Sequence, residues 1–272
     1  MVEQIDIKCL KKQSIPGSGV YYSSTVCNPK LFFKKPAIKG SAIVEALVST
    51  FLGYVDEVKE FGYADYFLCK IGDAYANYTK LIQGLEDIVP ILAKNINLFN
   101  SKYKSRYNDI VDYLCDRDID SKTEVKDKYE EICRVLSVIT GLQVSYIERY
   151  FRVLTIIDFL VSNGDRSFDN VFLLNTKDGL VLSPYLDFGN SLCCLDKRCS
   201  NVSSGPFSKH QKVQLDAVEA FNNPLTMDFD GFMNYIQGFK VNDSFQMRIF
   251  TGSLAMLKEA CEKWKGKLWI QK

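Results

Sequence analysis

The order of events between residues 144 and 189 restricts the fold more than any other feature of the chain. Tyr146, Tyr150, Val153, Leu154, Ile157 and Val161 recur at helical spacing and form one apolar face, and Asn163-Gly164 is a helix stop. A polar loop from Asp165 to Asn170 follows. Val171-Phe172-Leu173-Leu174, a turn at Thr176-Lys177-Asp178-Gly179 and Leu180-Val181-Leu182 then read as a β-hairpin. Asp187-Phe188-Gly189 lies just beyond its second strand. A long helix, a polar loop and a hairpin in this order return the chain on itself, so that Asp187 approaches Asn170.

Upstream, the pattern is strand-rich. Lys30-Leu31-Phe32-Phe33-Lys34 predicts a strand stopped by Pro36, and Ile15-Pro16-Gly17-Ser18-Gly19 a turn. Val44, Leu47, Val48 and Phe51 predict a helix from Ser41 to Tyr54, with Ser41 as its N-cap and Glu45 off the apolar stripe. Residues 63–71 and 74–79 predict further strands around Gly72-Asp73. Residues 81–160 read as mainly helical, broken by a charged stretch at 115–122 that predicts a solvated connection. Residues 200–210 read as a loop, and 211–272 as helical again. The expected fold class is α+β with two lobes: residues 1–80 a small strand-rich lobe with one helix, and 81–272 a larger, mainly helical lobe.

Composition removes several functions. With 34 Lys and Arg against 33 Asp and Glu, the net charge of +1 supplies no field for nucleic acid, and no direct nucleic-acid binding is expected. The N-terminus has no apolar core of a signal peptide, and no window approaches the run of about 18 apolar residues needed for a membrane span. Nine cysteines, an odd number scattered through a long chain, fit reduced thiols in a cytoplasmic protein. The cluster Cys193, Cys194 and Cys199 lacks zinc-site spacing. The single histidine, His210, and the lack of a G-x-S-x-G elbow argue against a triad hydrolase.

What remains fits phosphoryl transfer, which needs a carboxylate near the acceptor hydroxyl, hard oxygen ligands for Mg²⁺ and a cation on the nucleotide phosphates. Asp165 precedes Asn170 by the spacing that separates base and metal-binding Asn in kinase catalytic loops. Asp165 is thus the candidate catalytic residue, and Asn170 and Asp187 are the candidate metal ligands. Each motif alone is weak; their order in one helix, loop and hairpin carries the argument.

Asn163-Gly164-Asp165-Arg166-Ser167-Phe168-Asp169-Asn170, followed by Ser183-Pro184-Tyr185-Leu186-Asp187, resembles the core of the HipA-like serine/threonine kinases, a bacterial family with a two-lobed protein-kinase-like fold. The Gly-Asp-Arg run is also similar to the phosphoinositide kinases. Both groups usually carry a histidine in this loop where this chain has none, and HipA-like proteins often have Lys at the place of Asp169. The resemblance extends over about residues 28–210, with Gly205-Pro206-Phe207-Ser208 similar to short members that lack the extra N-terminal subdomain. It implies ATP and Mg²⁺ as cofactors, a protein serine or threonine as acceptor, and a regulatory protein as a further partner. It also implies Lys34, in Phe32-Phe33-Lys34-Lys35-Pro36, as the phosphate-binding lysine, with Glu45 as its ion-pair partner.

Several alternatives stay open at this level. Lys35 replaces Lys34 if the strand register shifts by one. Arg166 either binds phosphate or caps a neighbouring carboxylate. Gly17, Ser18 and Gly19 form the candidate phosphate loop, without the G-x-G-x-x-G pattern, and Ser14 and Ser18 are candidate autophosphorylation sites because some family members modify a serine nearby. The adenine-contacting hinge falls after the strand near 66–71 or the one near 74–78. Two other functions fit the residues: a lipid or small-molecule kinase, and an ATP-binding regulatory or toxin–antitoxin partner module with little transferase activity.

Overall fold

A computed structural model describes residues 3–13, 19–24, 31–37, 40–100, 106–192 and 205–272. Six strands open the chain: β1 (Glu3–Ile5), β2 (Leu10–Gln13), β3 (Gly19–Ser24), β4 (Leu31–Pro36), β5 (Phe67–Ile71) and β6 (Ala74–Lys80). Their order across the sheet is β1-β5-β6-β4-β3-β2. Only Asp6 and a single 3-10 turn, Ile7–Cys9, separate β1 from β2, yet the two strands form opposite edges, so the sheet curls round on itself. Period-two alternation splits β4 between its faces. Phe33 joins a small core with Cys69, Ile71 and Ala76, and Lys34 points to the other side.

That other side is covered by α1 (Ser41–Leu52), which touches β4, β5 and β6 on one flank and α9 (Ser244–Trp264) on the other. Packed from both flanks, α1 is buried almost all round, Glu45 included, rather than along a single stripe. Gly40, in a left-handed conformation at φ 96°, occupies the N-cap position expected for Ser41. The Ser41 hydroxyl instead donates to Gly189 O at 2.5 Å. A second short helix, α2 (Asp56–Phe61), follows where the sequence predicted one helix. Its six residues bury only Val58 and Phe61, too few for a periodic signal.

Beyond β6 the chain runs into β7 (Leu85–Asp87), which pairs antiparallel with β8 (Phe172–Thr176), itself in a hairpin with β9 (Gly179–Leu182). The hairpin was expected; β7 was read as part of a helical region. Three residues carry no alternation to detect, and the strand exists because β8 offers it partners. Gly84, at φ 80°, makes the crossing possible, since a Cβ there would stand 2.6 Å from Asn175 O.

The remaining elements are α3 (Ile88–Lys94), α4 (Ile110–Cys115), α5 (Lys122–Thr140), α6 (Val144–Leu160), α7 (Gln211–Ala217) and α8 (Phe229–Ile236), with a small parallel pair, β10 (Leu225–Met227) and β11 (Trp269–Gln271), inside the region read as helical. Ser121 caps α5 by accepting from Glu124 N–H, and left-handed Gly141 ends it. The 115–122 stretch is not simply solvated. Ile119 is buried, Lys128 of α5 donates to Leu114 O and Asp116 O, and Arg117 donates to Arg166 O at 3.0 Å. Its carbonyls are used as acceptors while most of its acidic side chains face water. Phe207 packs edge-on against Tyr129, Phe151 and Phe168, behind the polar loop. Among the described residues no helix is long and apolar enough to cross a membrane.

Candidate active site

The register of β4 places Lys34 opposite Asn77 on β6. Lys34 Nζ lies 3.1 Å from Glu45 Oε1 and 2.7 Å from Asp187 Oδ1, and Asn77 Nδ2 donates to Glu45 Oε2 at 2.7 Å. Burial works against the charge on Lys34, but the two carboxylates outweigh it and hold the ammonium well above its usual range. At Asp187 burial is likewise outweighed, by Lys34 and then Arg166, and its carboxyl falls below the usual range. Glu45, with no exposure at all, is pushed up by burial despite Lys34. Lys35 lines a different cavity, beside Tyr22, so the structure brings Lys34 and not Lys35 to the two carboxylates.

The polar loop is built on the C-terminal end of α6. Asp158, the charge on its buried face, receives Asn163 Nδ2 at 2.8 Å and Arg166 Nε at 2.9 Å. Arg166 is 1% exposed and lies over the Phe188 ring. A second donor reaches Asp158 Oδ1 at 3.3 Å, and others go to the carbonyls of Asn170 (2.8 Å), Leu186 (3.0 Å) and Asp187 (3.4 Å). Of the two readings of Arg166, the structure therefore selects carboxylate pairing, and the guanidinium joins α6, the loop and the segment at Leu186–Asp187. Asn170 Nδ2 donates to Asp165 O at 2.7 Å, while the Asp165 carboxylate is exposed and receives Asn190 Nδ2 at 2.8 Å.

The segment before Asp187 is fastened to the strand-rich part of the chain. Ala64 N–H donates to Tyr185 O and Tyr185 N–H to Gly62 O, and the Tyr185 hydroxyl donates to Tyr150 O. Asp187 then adopts φ 59°, a left-handed conformation that costs a non-glycine residue on the order of 1 kcal/mol. Its ion pair with Lys34 and the grip of Arg166 on its carbonyl offset that cost. The backbone approaches closely at Gly189, where a Cβ would stand 2.9 Å from Ser41 Oγ and 3.4 Å from Lys34 Nζ.

These groups face one cavity of about 750 Å³, within the range of small-molecule sites. Tyr21 and Phe32 line it from the sheet, Phe172 and Leu186 from the helical side, and Lys34, Asp165, Asn170 and Asp187 supply its polar groups. Lys80, which ends β6, and Leu81 and Ile82 after it line it too, whereas Gly72 and Asp73, which follow β5, face the other cavity. Gly17 and Ser18 lie outside the described residues, as do Ser14, Cys193, Cys194 and Cys199. Gly19 opens β3 opposite Pro36, and Pro36 lines the cavity.

Among the described residues no group of three or more His, Cys, Asp and Glu side chains could hold a metal. Asn170 and Asp187 offer an amide and a carboxylate oxygen instead. Because the Asn170 nitrogen is spent on a carbonyl, which only accepts, its Oδ1 is left as a ligand; Asp187 commits Oδ1 to Lys34 and retains Oδ2. This hard-oxygen pair fits magnesium. Asn77, Asp158 and Asn190 were not foreseen. A polar residue in an aromatic strand, a lone charge on the buried face of α6, and the residue that follows Asp187-Phe188-Gly189 were the available signals.

In comparisons of sequence, no protein-family model and no curated protein matches the chain. Comparison of structures finds similarity to the proinflammatory kinase CtkA of Helicobacter pylori, with a TM-score of 0.62 at 14% identity over 96% of this chain and 95% of that one. It also finds HipA of Shewanella oneidensis MR-1, solved with HipB and operator DNA, with a TM-score of 0.51 at 11% identity over 93% of this chain and 65% of that one. At such identities the fold is what is shared. The chain has the α+β kinase-like fold of HipA-like proteins, as the motifs between Asn163 and Asp187 implied.

Proposed function

We propose that this chain, having the fold of HipA-like kinases, is an ATP- and Mg²⁺-dependent kinase that transfers the γ-phosphate to serine or threonine of a protein. One observation carries the reading: a single cavity gathers Lys34, Asp165, Asn170 and Asp187, from segments as far apart in sequence as Lys34 and Asp187, with Glu45 paired to Lys34 behind it. The lobes divide at residue 80, and the chain at the end of β6, Lys80 to Ile82, is the hinge along which adenine lies.

Lys34, aimed by Glu45, contacts the nucleotide phosphates. Asn170 and Asp187 would hold magnesium, which when bound neutralises phosphate charge and orients the transferring group. Asp165 accepts the proton of the acceptor hydroxyl as that oxygen bonds to the γ-phosphorus, and the bond from phosphorus to the bridging oxygen breaks, leaving ADP with the electron pair. Gly17, Ser18 and Gly19 form the proposed phosphate loop. A protein acceptor, with autophosphorylation and a regulatory protein partner, is inferred from the family resemblance. Among the described residues Cys115, Cys133 and Cys261 are free thiols, which fits a cytoplasmic protein.

The test is incubation with γ-labelled ATP and Mg²⁺ beside the Asp165→Ala variant, reading label on the protein, a generic protein acceptor and lipid vesicles. Asp165-dependent label on protein supports the reading. Label on lipid alone, or ATP bound without transfer, would replace it with one of the two alternatives.

A further inference from the structure

The residue after Asp187-Phe188-Gly189 touches the base. Asn190 Nδ2 donates to Asp165 Oδ2 at 2.8 Å, and Asn190 O accepts from Gly164 N–H at 3.3 Å. Two residues on, Leu192 N–H donates to Val161 O at 2.7 Å. Residues 190–192 are thus stitched to residues 161–165 by both main chain and side chain. The turn that allows it is bounded by two left-handed non-glycine residues, Asp187 at φ 59° and Leu192 at φ 54°. Both conformations are disfavoured for residues with a Cβ, so the stitching is maintained against local strain.

The Asp165 loop is already held at its main chain. Asp165 N–H donates to Asn163 Oδ1 at 3.3 Å and Asp165 O accepts from Asn170 Nδ2. Its carboxylate would still rotate without a further contact. An ionised carboxylate only accepts, so the nitrogen end of the Asn190 amide is the end that binds it.

We propose that Asn190 is a positioning residue for phosphoryl transfer: it fixes Asp165 by Oδ2, leaves Oδ1 for the acceptor hydroxyl, and so presents the base only while the Asp187 segment is docked. The proposal rests on the kinase reading. An aspartate could not serve at 190, because it would set a like charge against the base. Docking of the segment that carries a metal ligand and alignment of the base are then a single event.

The experiment compares wild type, Asn190→Ala, Asn190→Asp, Asp165→Ala and the Asp165→Ala/Asn190→Ala double variant, measuring kcat, ATP affinity and thermal melting. Asn190 is exposed, so the variants are expected to melt with wild type. Asn190→Ala is expected to lower kcat roughly 10- to 100-fold, with ATP affinity within about twofold. Asn190→Asp is expected to be at least as defective, and adding Asn190→Ala to Asp165→Ala to cost nothing more. An Asn190→Ala kcat within twofold of wild type, a parallel loss of ATP affinity, or additive losses in the double variant would overturn the proposal and leave the kinase reading standing. A wild type that binds ATP without transferring phosphate would remove both.

Discussion

Replacing Arg166 with methionine is the most informative single perturbation of the site. The guanidinium is 1% exposed and divides its donors between Asp158 and three main-chain carbonyls, those of Asn170, Leu186 and Asp187. Methionine fills much of the same volume and supplies no donor. Removing one partner of a buried ion pair costs about 3–5 kcal/mol, a large part of the roughly 5–15 kcal/mol that holds a protein folded. With a urea m-value of about 2–3 kcal/mol/M, the unfolding midpoint at pH 7 is expected to fall by about 1–2 M. The deficit must also depend on pH. Burial already pushes the Asp158 carboxyl up against the pull of Arg166, and without Arg166 it rises further. A folded state that holds a proton the unfolded chain releases loses stability as pH rises above about 4, so the deficit of the variant shrinks at pH 5. Arg166→Lys keeps the charge but not the fork, and should fall between. Urea titrations at the two pH values check this. A midpoint within about 0.2 M of wild type at pH 7, or an equal deficit at both pH values, would refute the view that Arg166 joins the two loops by pairing with a charged Asp158.

Asp187→Ala is expected to abolish Mg²⁺-dependent transfer while the protein stays folded, checked by phosphorylation assay and melting; retained transfer would remove Asp187 as a metal ligand. Gly189→Ala should lower activity at least tenfold, because its Cβ would press on Ser41 Oγ and crowd Lys34, and unchanged turnover would show that α1 and the Asp187 segment have room to spare. Lys128, pulled down to about 7 by burial against the opposing charge of Asp116, sheds its proton in the folded state before the unfolded chain does at about 10.4. Stability from this group should therefore rise with pH between about 7 and 10, by up to ~1.4 kcal/mol per pH unit, and Lys128→Met should flatten that rise; equal slopes in denaturant titrations would count against it.

The local signals were sufficient for α6, the β8–β9 hairpin and the placement of Asp165, Asn170 and Asp187 around it, because each depends on neighbours within a few turns of chain; α6 stops at Leu160, and its left-handed residue is Ser162 rather than Gly164. Periodicity, turn chemistry and helix capping act over that distance. They carried the α+β class, and the family resemblance of the motifs carried the kinase-like fold, but neither showed the short strands β7, β10 and β11, whose three residues each exist through distant partners. Tertiary structure alone chose Lys34 over Lys35, since the register of β4 against β6 decides which lysine reaches Glu45 and Asp187. It buried Glu45 between α1 and the sheet, against Lys34 and Asn77, and it turned Arg166 inward to Asp158. It also recruited Asn77 and Asn190, neither of which differs in sequence from an ordinary polar residue. Their partners are set by where the chain returns, and a sequence states that only through the fold it adopts.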